Sequence, residues 1–445
     1  MRSKNINTKD IWVSIAIFII VVALSTDSFI NIIYKNRFVQ IFTIIVAIVI
    51  LTVIAIKCFD GGISKKVLKV QVMWIFTSFF VLYNNSDLKN GSGTSYVIYY
   101  LLALIILILL KYSEKWIEYF AKFMLITSCV YAFFTILFKL FKPLYYYFIN
   151  KIYSGAILTQ LNQQYNENHM AGIASHYSTN AIYLMLGIGI IVSYYFTDKF
   201  KSNKTSRKNI ILLIMLLVAI VFTGKRGTVI FGGLSIIVVF LSELSIRRFK
   251  KFIKFLMICL SVLFLGVFII YIIPEIREAI LGFLRLDKGK TLNDITSGRI
   301  DLYSRALEDF SASPIWGSGW GYYKHKYAYI YSYVGTGFYM DVHNIYIQLL
   351  CEIGIVGFIM FVFPMIFTAR NTFKLLKKNS IQLIKLSNKH ERDLKLSLFL
   401  QVFFILYGFT GNPLYDYWVF IIYILGISIF LTVYSSIQLA NKSNN

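Results

Sequence analysis

Charged residues are scarce in this sequence. They make up 15% of its 445 residues, whereas soluble domains carry about 25%. Apolar residues make up 58%, and the mean hydropathy is +0.67. These proportions exclude an ordinary soluble domain and predict a protein that lies within a lipid bilayer.

Cysteine is also scarce, with four residues in the chain. Each lies in or at the end of an apolar segment, and none lies where an oxidising compartment would pair it. No Cys/His spacing typical of a metal site occurs. We therefore expect neither a metal nor a cofactor, and we expect packing roles for Cys58, Cys129, Cys259 and Cys351.

Acidic residues are outnumbered by basic ones, at 21 against 45, which gives a formal net charge of +24. The basic residues are spread through loops and are not gathered with aromatic residues on one soluble face. Anionic lipid and topology signalling account for such a distribution. We expect membrane lipids as partners, and no nucleic acid.

Long apolar stretches dominate the rest of the chain. Spanning the hydrocarbon layer takes about 20 mostly apolar residues in a helix. The sequence therefore predicts an all-α integral membrane protein, a single polytopic domain over residues 1–445 with about 12 transmembrane helices. The predicted spans are 11–33, 38–57, 67–83, 94–110, 116–141, 177–197, 208–223, 227–245, 252–273, 343–367, 394–411 and 417–437.

Basic clusters mark the expected cytoplasmic loops, since positively charged loops are retained inside. When the spans alternate from a cytoplasmic N-terminus, KFKSNKTSRK (199–208) and RRFKKFIK (247–254) fall on the inner side. We therefore predict a multi-pass protein of the cytoplasmic membrane with both termini cytoplasmic. The same alternation predicts a large extracytoplasmic loop, residues 274–342, which contains short helices between spans 9 and 10.

Two segments of that loop have helical spacing. In PEIREAILGFLRL the apolar residues recur as in a helix that lies on a membrane surface. In TSGRIDLYSRALEDF, Ser297 can cap a helix. Arg305 has Asp301 and Asp309 one turn away on either side, a spacing typical of surface ion pairs. Arg299 has no acidic residue one turn away, so its guanidinium is a candidate for binding an external anion.

Two adjacent cations, Lys225 and Arg226, fall in the short outer loop of FTGKRGTVIFGG. Short outer loops generally avoid basic residues. An anionic partner is one explanation for the pair, and contact with lipid headgroups is the other. The residues alone leave both explanations open.

The segment DVHNIYIQLLCEIGIVGF places His343 at the start of the tenth predicted span, immediately before a long apolar run. His343 is a candidate for catalysis, or it caps the helix that Asn344 begins. Glu352 falls about two turns into the span, where a carboxylate is costly unless it is buried and hydrogen-bonded. The preceding SPIWGSGWGYYK follows no predicted strand, so its glycines indicate a tight turn and no dinucleotide-binding loop.

Together these motifs resemble the bacterial O-antigen ligase and polysaccharide polymerase superfamily, whose products include O-antigens, capsules and exopolysaccharides. The resemblance covers about residues 165–360, and GIASHYSTNA, with Gly172, His176 and Asn180, is similar to an earlier outer motif of the family. The other matching residues are Lys225, Arg226, Ser297, Gly298, Arg299, Pro314, Gly317, Gly319, Gly321, His343, Asn344, Glu352, Gly354 and Gly357.

The resemblance implies a metal-independent glycosyltransferase that moves a glycan from polyprenyl pyrophosphate to an acceptor sugar hydroxyl. It implies a base, His343, and two catalytic arginines, Arg299 and Arg226, whose planar forks suit phosphate oxygens. The substrate-binding residues that it implies are Lys225, Gly317, Gly319, Asn344 and His176. The partners that it implies are a polyprenyl-pyrophosphate-linked oligosaccharide, an acceptor glycan and, as a further candidate, a chain-length regulator.

Three functions are compatible with this class of protein. We favour polymerisation of lipid-linked repeat units, because the Lys/Asn/Ile/Tyr-rich composition is common in single-membrane bacteria, which lack a lipopolysaccharide acceptor. Ligation of the glycan to another acceptor is the first alternative. A polysaccharide flippase is the second, although a transporter typically carries charged residues in mid-span and related halves.

Overall fold

The structure, a computed structural model, describes residues 8–26, 37–57, 64–84, 92–112, 114–195, 203–242, 298–324, 326–327, 341–381, 383–384 and 386–443. No strand occurs in these ranges, which confirms the all-α class. The helices are α1 Thr8–Ser25, α2 Arg37–Lys57, α3 Lys65–Tyr83, α4 Ser92–Leu109, α5 Lys115–Leu140, α6 Lys142–Ile152, α7 Gly155–Asn166, α8 Tyr177–Tyr195, α9 Asn203–Phe222, α10 Arg226–Ser242, α11 Arg299–Ala312, α12 Ile345–Ser380, α13 Asn388–Tyr407 and α14 Tyr417–Ser443.

Every predicted span except the ninth overlaps one of these helices. Span 9, at 252–273, lies outside the described residues, as do Ser297 and the surface helix predicted at the start of the large loop. Within the described ranges, α2, α3, α5, α12 and α14 are long and apolar enough to cross a membrane. The count of about 12 spans stays a prediction.

Two helices occupy the segment between α5 and α8, which the alternation of the predicted spans places on the outer side. Both α6 and α7 are amphipathic, and they bury Tyr145 and Leu161 against the end of α5. The Tyr145 hydroxyl donates a 3.0 Å hydrogen bond to the carbonyl of Leu161, and its ring stacks on Tyr165 at 4.0 Å. Tyr153, at the end of α6, donates a 2.9 Å hydrogen bond to Ile173 O and so holds the turn that leads into α8.

The centre of the bundle is α14. In its most apolar stretch 78% of residues are buried, against half or fewer in the other four candidate spans. It packs against α3, α4 and α13. Large apolar side chains on the surrounding helices are exposed, among them Phe42, Phe76 and Val221. An exposed apolar surface of this kind is suited to lipid.

The helix that begins near His343, α12, is interrupted at Gly354, where φ is 63° and ψ is −171°. The turn that follows α11 packs into the interruption, so that each satisfies backbone groups of the other, as burial in a membrane requires. The four hydrogen bonds run from Ile355 N to Pro314 O (2.9 Å), Val356 N to Ile315 O (3.3 Å), Ser318 N to Cys351 O (3.1 Å) and Gly319 N to Glu352 O (2.7 Å).

The loops at the two ends of α12 differ in character. Beyond its C-terminus, polar groups tie the helices together: Asn379 donates to Glu391 at 3.0 Å, and Lys389 binds Glu114 at 2.9 Å. The other end contains His343 and the turn after α11. The predicted topology makes the first of these ends cytoplasmic and the second extracytoplasmic.

Cysteine labelling tests this orientation, because Ser311 is exposed on α11, which belongs to the predicted outer loop, and Leu383 is exposed beyond the C-terminus of α12. We expect Ser311→Cys to react with an impermeant thiol reagent in intact cells. Leu383→Cys should react only after permeabilisation. The wild-type chain, with its four cysteines, gives the background. Labelling of Leu383→Cys from outside, with none of Ser311→Cys, would invert the topology.

Candidate functional site

Loops from distant parts of the chain meet at the His343 end of the bundle. The turn before α8 joins the end of α9, where Met170 N donates to Phe222 O at 2.9 Å. The start of α12 joins the loop between α13 and α14, where Ile345 N donates to Gly408 O at 2.9 Å. Residues 408–416 are called the α13–α14 loop below. These contacts bring most of the candidate residues to one end of the protein.

His343 has a left-handed backbone conformation, with φ of 58°. It does not cap α12: the Asn344 side chain does so by accepting from Tyr346 N and Ile347 N at 3.0 and 3.2 Å. The partly buried imidazole lies beside the α13–α14 loop, with Nδ1 3.4 Å from Nδ2 of Asn412. Asn344 therefore caps α12, and the His343 imidazole takes no part in capping.

The pKa of His343 is lowered to about 4, chiefly by burial; Asp341 opposes this shift, and Lys225 and Arg299 add to it. At neutral pH the imidazole is therefore uncharged. An uncharged imidazole has a free lone pair, so it is able to accept a proton. These neighbours also show that two of the predicted cations lie close to His343.

Lys225 and Arg299 come together although they are far apart in sequence. Burial lowers the pKa of Lys225 to about 8, and Arg299 adds to the shift while Asp416 opposes it. The Lys225 ammonium also lies 5.5 Å from the centre of the Tyr177 ring. Among the residues that the structure describes, neither cation forms an ion pair with a carboxylate. Two partly buried cations that repel each other favour binding of an anion.

Arg226 adjoins Lys225 and is the first residue of α10. Its backbone N–H donates to Gly224 O at 3.1 Å, and its side chain is partly buried. The position at a helix N-terminus adds the partial positive charge of the helix end to that of the side chain. The short loop therefore concentrates positive charge near the site.

His176 lies in the turn before α8. Its Nδ1 accepts a 3.0 Å hydrogen bond from Ser178 N, so the proton of the neutral ring resides on Nε2. Burial lowers the pKa of His176 to about 3, with Lys225, His343 and His169 adding to the shift. His176 can therefore offer a hydrogen bond to a ligand, and it adds no charge at neutral pH.

Gly172 and Asn180, the other residues of this motif, hold the same turn. Gly172 has a φ of 59°, and an added Cβ there would meet the Thr135 hydroxyl. The Asn180 amide donates to Thr135 Oγ1 at 2.8 Å and to Met170 O at 3.0 Å. The motif therefore fixes the turn that carries His176.

Gly317 and Gly319 lie where the turn after α11 meets α12. Their φ angles are 75° and 110°, which other residues rarely adopt. A Cβ on Gly317 would collide with the backbone of Glu352. The structure brings these glycines to the interruption of α12, and α12 connects them to His343.

Glu352 is fully buried and accepts three hydrogen bonds. Oε2 accepts from Gly321 N at 2.9 Å and from Tyr415 OH at 2.7 Å, and Oε1 accepts from Gln348 Nε2 at 3.1 Å. Gln348 in turn accepts from Val342 N at 3.2 Å. This network connects the turn after α11, the α13–α14 loop and the residue before His343. The three hydrogen bonds also offset the cost of burying a carboxylate within a membrane span.

Arg305 lies on α11 with its guanidinium 5.7 Å from the centre of the Tyr327 ring. Asp309, one of the two partners expected from spacing, binds Lys326 and accepts a 3.2 Å hydrogen bond from the Tyr327 hydroxyl. Arg305 therefore contacts a residue of its own loop, whereas Arg299 interacts with Lys225 and His343.

The sequence did not identify the contribution of the α13–α14 loop. GNPLYD looks like an ordinary turn between two spans, yet Asn412 contacts His343 and Asp416 interacts with Lys225. Asp341 and Tyr177, which also interact with the central residues, were not singled out either. The one sequence feature that could have pointed to this loop is the pair of polar residues, Asn412 and Asp416, in a short connection between two predicted spans.

These features define an all-helical protein, with the apolar helices of a membrane protein, that places an uncharged histidine beside two cations at one end of its bundle. Residues 211–362 match the family model described as O-antigen ligase. This match supports the O-antigen ligase and polymerase superfamily that the motifs predicted, and with the apolar helices it indicates a multi-pass membrane protein. No curated protein matches the chain. Within the described ranges, no group of three or more His, Cys, Asp or Glu residues is arranged to hold a metal.

Proposed function

We propose that this protein transfers a glycan from polyprenyl pyrophosphate to a sugar hydroxyl and so polymerises lipid-linked repeat units at the outer face of the cytoplasmic membrane. One observation carries the proposal: an uncharged His343 lies within electrostatic reach of Lys225 and Arg299, and neither cation forms an ion pair with a carboxylate among the described residues. The match at 211–362 to a glycan-assembly family supports it.

In the proposed reaction the acceptor hydroxyl attacks the anomeric carbon of the donor glycan. A new carbon–oxygen bond forms as the bond from that carbon to the pyrophosphate oxygen breaks, and the leaving pyrophosphate takes the electron pair. His343 accepts the hydroxyl proton. Arg299, Arg226 and Lys225 stabilise the charge that develops on the leaving oxygen. No step needs a divalent metal, because these three side chains neutralise the negative charge of the leaving pyrophosphate.

Donor binding is expected to strengthen the base. The pKa of His343 is held at about 4 partly by Lys225 and Arg299. A bound pyrophosphate would offset both cations and raise this pKa, since nearby negative charge favours the imidazolium. The imidazole would then be most basic when the donor is in place, which couples proton removal to a complete site.

The remaining predicted residues have narrower roles in this proposal. His176 donates a hydrogen bond through Nε2–H. Asn344 contributes only its amide nitrogen, because its oxygen caps α12. Gly317 and Gly319 shape the site through the turn that they allow. The acceptor would be the growing glycan, with ligation to a different acceptor as the alternative.

The proposal is tested with purified protein in lipid vesicles supplied with a polyprenyl-pyrophosphate oligosaccharide and EDTA. The wild type should lengthen the glycan and release polyprenyl pyrophosphate. Arg299→Ala should lower kcat/KM by roughly 10–100-fold, the size of a lost hydrogen bond to a charged group. Arg299→Lys should restore little, because an ammonium cannot form the bidentate fork.

Arg305→Ala is the matched control on the same helix and should stay within about twofold of the wild type, since the Arg305 guanidinium contacts the Tyr327 ring of its own loop. Equal losses in the two alanine variants would contradict a specific role for Arg299. Activity that appears only when magnesium or manganese replaces EDTA would contradict metal-independent transfer.

A further inference from the structure

Asn412 contacts the His343 ring, with Nδ2 3.4 Å from Nδ1, and the backbone of Asn412 is held by hydrogen bonds. Asn412 is 6% exposed, and its carbonyl accepts from Tyr415 N and Asp416 N, each at 3.0 Å. Tyr415 is fixed in turn by its 2.7 Å hydrogen bond to Glu352. The relative position of the amide and the imidazole is therefore set by the backbone of two loops.

The orientation of the Asn412 amide decides what His343 can do. The oxygen and nitrogen of an amide are assigned from their surroundings, and an imidazole has two neutral tautomers. If the amide nitrogen donates to Nδ1, the ring proton is on Nε2 and that nitrogen cannot act as a base. If the amide oxygen accepts from Nδ1–H, the Nε2 lone pair is free.

The second orientation also suits an anionic ligand. One end of the Asn412 amide faces His343, and the other, Oδ1 as assigned, is buried with no hydrogen-bond partner in the described part of the chain. An unpaired buried polar atom is costly, and a hydrogen bond to a bound molecule would remove that cost. With the oxygen on Nδ1–H, the end left over is an NH₂ group, which can donate to phosphate or sugar oxygens.

We propose that Asn412 is a positioning residue for His343, whose amide oxygen accepts from Nδ1–H and so holds the imidazole in the tautomer with a free Nε2 lone pair. The inference rests on the function proposed above. Nε2 then takes the proton of the acceptor hydroxyl, and the Asn412 amide nitrogen is directed to the bound donor. Removing this partner removes control of the tautomer and leaves the ring in place.

Two substitutions separate this role from simple packing. Asn412→Asp places an acceptor-only group on Nδ1, so it enforces the proposed tautomer and adds a negative charge. Asn412→Leu has a similar size and no hydrogen-bonding group. We expect kcat to fall by roughly 10–100-fold in Asn412→Leu, the size of a lost hydrogen bond to the imidazolium that forms in the reaction. Asn412→Asp should keep kcat within about tenfold while KM for the anionic donor rises.

The protonation of His343 gives a readout that does not depend on turnover. Diethyl pyrocarbonate modifies uncharged imidazole, and mass spectrometry of the full-length protein in detergent reports the extent at His343 as pH varies. The groups facing His343 are Asp341, Lys225, Arg299 and His176. All four are unchanged in the variants, so Asn412→Asp should raise the midpoint by about 1–3 pH units. Asn412→Leu should not raise it.

The outcomes distinguish the inference from the function on which it rests. An unchanged midpoint in Asn412→Asp, with kcat as low as in Asn412→Leu, would overturn the positioning role even if His343→Ala is inactive. Normal transfer by His343→Ala would instead overturn the assignment of His343 as the base. A raised midpoint with retained kcat in Asn412→Asp, and a low kcat in Asn412→Leu, is the expected result.

Discussion

Replacement of His343 by alanine is expected to lower the rate of glycan transfer by roughly 10²–10⁴-fold, the usual contribution of a general base. The donor should still bind, because binding is assigned to Lys225, Arg226 and Arg299. The Asn344 side chain caps α12, so removing the imidazole should leave the helix start intact. The measurement is polymer formation at matched expression, combined with binding of a labelled polyprenyl-pyrophosphate oligosaccharide.

The acid limb of the pH–rate profile adds a second measurement. Free enzyme with a His343 pKa of about 4 keeps its base uncharged down to that pH. As pH falls through the pKa the ring takes up a proton, so kcat/KM should decline only below about pH 5. A decline centred near the ordinary histidine pKa of about 6.5 would contradict a buried His343 as the base.

His390→Ala is the matched control for His343→Ala. His390 is partly buried at the other end of α12 and its Nε2 lies 3.1 Å from Oε1 of Glu114. Its removal should cost about as much local stability as the loss of a surface ion pair. The rate of glycan transfer should stay within a few-fold of the wild type. A loss in His390→Ala as large as that in His343→Ala would indicate a general effect on folding.

The helices could be predicted because a membrane imposes one rule on the whole chain. Every spanning segment must be apolar and must satisfy its own backbone, so apolar length predicts a helix. The helix bounds were less predictable. α12 continues to Ser380, beyond the predicted end at 367, because Thr372 and Leu376 remain buried against neighbouring helices. Tertiary packing therefore extends a helix past the point where its apolar character declines.

Candidate site residues could be selected from the sequence where charge or histidine stands out against an apolar background. Lys225, Arg299 and His343 were identified in this way, and the structure places all three within electrostatic reach of one another. Asn412 carries no charge and lies in an ordinary-looking turn, so only the fold shows its contact with His343. Likewise, no local pattern reveals that Gly354 interrupts α12 to receive a distant turn.

That interruption leads to the second large effect, which concerns the fold that supports the site. Gly354 has a φ of 63° and a ψ of −171°, a combination essentially restricted to glycine. A Cβ there would also collide with the backbone of Ile315 and Trp316. Alanine at this position therefore favours a continuous helix, which would expel the turn after α11 and break the four hydrogen bonds that join it to α12.

Gly354→Ala should consequently destabilise the protein by about 3 kcal/mol or more, from backbone strain and from buried backbone groups left without partners. Transfer should fall by at least about tenfold, because the displaced turn carries Gly321, which helps to fix Glu352. The measurements are thermal denaturation in detergent and glycan transfer. Gly233→Ala is the control: Gly233 lies within α10, nothing is within 4 Å of an added Cβ, and alanine should stabilise that helix by about 0.5–1 kcal/mol. If Gly354→Ala melts and transfers like Gly233→Ala, the interruption of α12 is not what holds the site together.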